Sequence, residues 1–114
     1  MVIAVVDDLL FSSKIRAVAS KTGTPISFVR ERGAIVDAVR TKSPSLVIFD
    51  LDRDSLDPIG AIEAIRAADD LKDVRIVGFV SHVRADRIAA ARTAGATQVL
   101  ARSAFVGTLD TLLT

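Results

Sequence analysis

The chain has 114 residues, half of them hydrophobic and a quarter charged, with fifteen basic and fourteen acidic side chains and a formal charge of +1. That length suits a single domain over residues 1–114 built around one continuous core, and a balanced charge offers no general field to nucleic acid. The absence of Trp and Tyr removes the usual base-stacking platforms, and the absence of Cys removes disulfides, thiolate metal sites and thiol chemistry.

The apolar pattern alternates between short continuous runs and longer segments with helical spacing, and it does so five times. Val2 to Val6 predicts a first strand that runs into the acidic pair Asp7-Asp8. That run is too short and lacks the basic leader of a signal peptide. Ile15, Val18 and Ala19 then mark one face of a helix that stops at Gly23. Ile26 to Val29 predicts the second strand, and Ile35, Ala38 and Val39 mark a second helix ending before Ser43-Pro44. Leu46 to Phe49 is the third strand, closed by Asp50. Asp57-Pro58 starts the third helix with a cap and a first-turn proline, and Ile59, Ile62 and Ile65 form its apolar stripe. Ile76 to Val80 is the fourth strand, followed by Ser81-His82, and Ile88, Ala91 and an Ala-rich stretch ending at Gly95 form the fourth helix. Val99 to Ala101 is the fifth strand. Ser103 is expected to cap a fifth helix in which Phe105, Val106, Leu109, Leu112 and Leu113 face the sheet.

Strands that read as unbroken aliphatic runs are those of a parallel sheet covered on both faces. Five of them joined by short right-handed crossovers give a doubly wound, flavodoxin-like α/β fold with strand order 2-1-3-4-5. No segment reaches membrane-spanning length. A cysteine-free chain without a leader is expected to reside in the cytoplasm.

In such a sheet ligands sit beyond the carboxyl ends of the strands. Asp7-Asp8 follows the first strand, Asp50 ends the third, Ser81-His82 follows the fourth and Arg102-Ser103 follows the fifth, so all share one rim. Three carboxylates held together must take up protons or a cation, and a hard ion such as Mg²⁺ fits them. Taken singly, each signal has an ordinary reading. An acidic pair after a strand is commonly a solvated turn, and Asp50 stands in a stretch that also holds Asp52, Asp54 and Asp57. Their coincidence at strand ends one and three points to a site. His82, the only histidine, reads as an exposed loop residue, and Arg84, Arg87, Arg92 and Arg102 read either as a basic partner surface or as solvated helix charges.

These residues resemble the receiver domains of bacterial two-component response regulators, along essentially the whole chain. VIAVVDD is similar to that family's first strand and acidic pair, SPSLVIFDLD to its third strand and phosphoacceptor, and AGATQVLAR to the segment leading into its fifth strand. The resemblance implies that Asp7 and Asp8 are Mg²⁺-site acids, that Asp50 is the phosphoacceptor and a metal ligand, and that the main-chain carbonyl of Asp52 is a further ligand. It also implies a partner in signalling, a histidine kinase or another protein, with output through the face formed by the fourth helix, fifth strand and fifth helix.

The sequence departs from the family where the phosphoryl group is read. Val80 falls at the hydroxyl position with Ser81 one place later, and a one-residue shift would let Ser81 supply the hydroxyl. Arg102 replaces a lysine, Val99 replaces the switching aromatic ring, and Arg53-Asp54 and Ser103 replace the prolines and their neighbours in the two loops. The expected protein is thus a pseudo-receiver that acts by protein–protein interaction with weakened switching at Asp50. The rival reading is a Mg²⁺-dependent phosphatase or small-ligand binder on the same fold, since Asp50-Leu51-Asp52 is also similar to the Asp-x-Asp of haloacid-dehalogenase-type phosphatases.

Overall fold

The computed structural model describes residues 1–81 and 84–114. Five strands and five helices alternate among the described residues. They are β1 (Val2–Val5), α1 (Leu9–Thr22), β2 (Ile26–Val29), α2 (Ile35–Lys42), β3 (Leu46–Asp50), α3 (Pro58–Ala67), β4 (Arg75–Val80), α4 (Ala85–Ala94), β5 (Gln98–Ala101) and α5 (Arg102–Leu112). All pairings are parallel, and the order is β2-β1-β3-β4-β5. Val5 lies opposite both Val29 and Phe49, Asp50 opposite Phe79, and Val80 opposite Ala101. The polar residues that follow β1, β3, β4 and β5 therefore emerge along a common edge.

Alternation along each strand divides the core into two layers. Ile3, Val5, Val47, Phe49, Ile76 and Val80 pack with Ile35, Val39, Ile62, Ile65 and Ala91 of α2, α3 and α4. Val2, Ala4, Ile48, Val77 and Phe79 pack with Phe11, Ile15, Ala19, Phe105 and Leu109 of α1 and α5. Each large side chain withdrawn from water in these layers contributes about 1.5–3 kcal/mol before chain entropy is counted. Phe79 stacks between Phe11 and Phe105 with ring centroids 4.6 Å apart on either side. This stack ties α1 and α5 together directly under the rim.

Local signals terminate the helices much as the residue types require. Asp8 caps α1 by accepting from the Phe11 N–H at 3.0 Å, and Gly23 ends it in the left-handed region at φ 71°. Asp57 and Pro58 open α3, and Ser43 closes α2 at φ 46°. The fifth helix corrects the expectation placed on Ser103. Helix α5 begins at Arg102 straight out of β5, the extended residue Ala101 takes the cap position, and no side chain caps it. With no loop between strand and helix, Ser103 already lies inside the first turn. Among the described residues no helix is long and apolar enough to cross a membrane.

Candidate functional site

Asp50 is the last residue of β3 and is only 1% exposed. Apart from Ser12, it is the one polar or charged side chain among the described residues to be fully buried. It is held by its own loop, where the Asp52 N–H donates to Asp50 Oδ1 at 3.0 Å. Arg102 Nη2 stands 3.8 Å from Asp50 Oδ2, within ion-pair range but beyond a hydrogen bond. Burial pushes the Asp50 carboxyl above the usual carboxylate range. The Asp52 N–H and Arg102 oppose that rise, while the charge on Asp52 adds to it.

The acidic pair is divided between two tasks. Asp8 spends Oδ1 on the cap of α1, leaving its second oxygen for the rim. Asp7 Oδ1 accepts from Arg53 Nε in a close ion pair. The Arg53 guanidinium also feels the charges of Asp50 and Asp8, and all three acids favour its charged form. The sequence placed three carboxylates on one rim with Arg102 as their neighbour. The structure adds Arg53, a cation from the β3–α3 loop, on the Asp7 side. The donor set itself suits Mg²⁺, being carboxylates plus a loop carbonyl. Asp7 Oδ1 and Asp8 Oδ1 are engaged by Arg53 and by the α1 cap, and among the described residues no three acidic or histidine side chains are already gathered into a metal-binding group.

The side chain of Asp52 makes contacts that the sequence did not suggest. Its Oδ2 accepts from the Ser81 N–H at 2.9 Å and lies 3.7 Å from Arg102 Nη2, while its Oδ1 lies 3.7 Å from Arg84 Nη1. The Arg102 guanidinium is steadied from below by the rings of Phe11 and Phe79, 5.1 and 5.6 Å from its centre. Next to this group opens a cavity of about 570 Å³ between α1 and α5, lined by Phe11, Lys14, Asp52, Ser81, Arg102 and Val106 among others.

Val80 is fully buried in the layer beneath α3 and α4, and Ser81 follows the strand's end. Val99 lies in that same layer. Neither valine presents a hydroxyl or a ring to the rim. His82 lies outside the described residues. The basic surface expected from Arg84, Arg87, Arg92 and Arg102 is mostly consumed internally: Arg84 and Arg102 turn to Asp52, and Arg87 pairs with Asp54. A hint was available in the charge alternation of Asp52-Arg53-Asp54, since a loop that carries both signs over an acidic rim has partners for each.

The arrangement defines a flavodoxin-like domain with a buried strand-end carboxylate bracketed by arginines. Comparison with solved structures makes the class more specific: the fold is that of response-regulator receiver domains. A response regulator from Hahella chejuensis superposes with a TM-score of 0.87 at 22% identity, over 98% of this chain and 90% of that one. The receiver domain of the sensor histidine kinase PA1611 from Pseudomonas aeruginosa, whose structure has a magnesium ion coordinated in the active-site cleft, gives 0.85 at 20% identity, covering 98% and 92%. A signal receiver domain from Bermanella marisrubri gives 0.81 at 19% identity, covering 99% and 97%. No protein-family model matches the sequence, and a search of curated proteins finds no match.

Proposed function

We propose that residues 1–114 form a receiver-type signalling domain that works by protein–protein interaction, with Asp50 as phosphoacceptor and a weakened phosphorylation switch. The burial of the Asp50 carboxylate at the end of β3, between a loop N–H and Arg102, carries the reading. A nucleophilic carboxylate on such an edge attacks the phosphorus of a phosphohistidine or acyl phosphate. The donor's P–N or P–O bond breaks, its leaving group keeps the electron pair, and an aspartyl phosphate remains until water hydrolyses it. Mg²⁺, when bound, neutralises charge on the transferring group. The free oxygen of Asp8, Asp50 and the Asp52 carbonyl would hold it, with Asp7 joining once Arg53 lets go. Competition from that guanidinium makes the affinity weak.

The weak switch follows from Val80 and Val99. A ligand shifts an equilibrium only by its differential contacts with the two states. A missing hydroxyl removes a charge-assisted hydrogen bond of about 1.5–3 kcal/mol, as large as a typical coupling energy of about 1–3 kcal/mol. A kinase or other signalling partner would then read much the same α4-β5-α5 face before and after modification.

The test is intact mass after incubation with acetyl phosphate and Mg²⁺, with Asp50→Asn as control. The expected result is at most one phosphoryl group per chain, absent in the variant. Many turnovers of a generic phosphomonoester would instead favour a phosphatase.

A further inference from the structure

Asp52 and Asp50 compete for one cation. Arg102 Nη2 is 3.8 Å from Asp50 Oδ2 and 3.7 Å from Asp52 Oδ2, so a single nitrogen bridges the two carboxylates. The same Asp52 oxygen takes the Ser81 N–H, which points into the rim from the end of β4. Any oxyanion attached to Asp50 on its Arg102 side enters this space and finds its nearest guanidinium and main-chain donor already engaged by an anion.

The engagement is loose on one side and firm on the other. Asp52 Oδ1 is buried and accepts no hydrogen bond, with Arg84 as its counter-charge at 3.7 Å, and Arg102 Nε is buried without an acceptor. An external oxyanion supplies the acceptor that Arg102 Nε lacks and that the Asp52 carboxylate leaves unmatched. We propose that the Asp52 carboxylate is an internal anion seated on the donors that a phosphoryl group on Asp50 requires, and that it determines how strongly the site accepts an external oxyanion. The inference rests on the reading of Asp50 as phosphoacceptor and assigns Asp52 a positioning role rather than a chemical one. While Asp52 keeps its seat, the unmodified chain holds Ser81 and Arg102 much as a modified chain would.

The experiment compares wild type, Asp52→Ala and Asp52→Asn in titrations with beryllofluoride, followed by the bound resonance in fluorine NMR, each at Mg²⁺ that saturates it. Alanine removes the side chain and asparagine keeps its shape without its charge, so a folding defect in one leaves the other informative. Asp54→Asn, an exposed acid of the same loop paired with Arg87, serves as the charge control. Both Asp52 variants should bind at least fivefold more tightly than wild type, with Asp54→Asn unchanged. A smaller gain in the folded Asp52 variants, or an equal gain in Asp54→Asn, overturns the role of Asp52 while leaving Asp50 as the acceptor. No bound resonance in any protein overturns the phosphoacceptor reading itself.

Discussion

Replacing Asp50 by asparagine is expected to stabilise the fold. The buried carboxylate has acceptor capacity for about four hydrogen bonds, yet it receives one, from the Asp52 N–H, and a guanidinium too distant to donate. An incompletely solvated buried polar group costs about 1–3 kcal/mol, and asparagine keeps the oxygen that accepts from Asp52 while removing a charge whose burial outweighs the attraction of Arg102. Unfolding entropy of about 2.1 cal/mol/K per residue makes each 1 kcal/mol worth about 4 °C at this length, so Tm should rise by about 4–12 °C at pH 7. The pH dependence has a definite sign. Because the folded carboxyl titrates above its ordinary value, its penalty is fully present above the folded pKa and is lost as pH falls through it toward the unfolded value. The gain from Asp50→Asn should therefore shrink in acid and vanish below the ordinary carboxylate range. Calorimetric melts of both proteins from pH 7 downward measure this. An asparagine variant that melts at or below wild type at pH 7, or a gain that grows in acid, would refute the picture of an under-solvated carboxylate.

Arg66→Ala should cost about 1.5–3 kcal/mol in urea unfolding, the range for hydrogen bonds from a charged donor. Its guanidinium closes the α3–β4 and α4–β5 connections through the carbonyls of Gly95, Lys72 and Val74 and the Thr97 hydroxyl. A loss under 0.5 kcal/mol would contradict that bracing role. Arg53→Gln should tighten Mg²⁺ by about threefold, the scale of one partly exposed ion pair, as read from amide shifts at Asp7, Asp8 and Asp50. Unchanged or weaker binding would show that the guanidinium does not compete.

The strand ends were legible because a βα repeat leaves little freedom about where its loops point. Once Val2–Val5, Leu46–Asp50 and Arg75–Val80 pair in parallel, Asp7, Asp50 and Ser81 must share an edge. Gly23 and Asp57-Pro58 were legible for a related reason, since only a few residue types end or start a helix at low cost. What side chains do at that edge was less so. The reach of Arg53 to Asp7, and of Arg84 and Arg102 to Asp52, joins residues 32 to 50 positions apart and depends on rotamers that no local pattern encodes. Ser103 misled because a cap-forming residue after a short strand implies an intervening turn, whereas β5 passes into α5 at Ala101 without one.

We propose a receiver-type site whose modification is only weakly transmitted. Amide spectra of the wild-type chain with Mg²⁺, recorded without and with saturating beryllofluoride, test it most directly. Shifts confined to the residues around Asp7, Asp50, Asp52 and Ser81, with α4, β5 and α5 beyond Arg102 nearly unmoved, are the expected result. Large shifts along Ala85–Ala94 and Gln98–Ala101 would contradict it and show that the switch operates without a hydroxyl at Val80 or a ring at Val99.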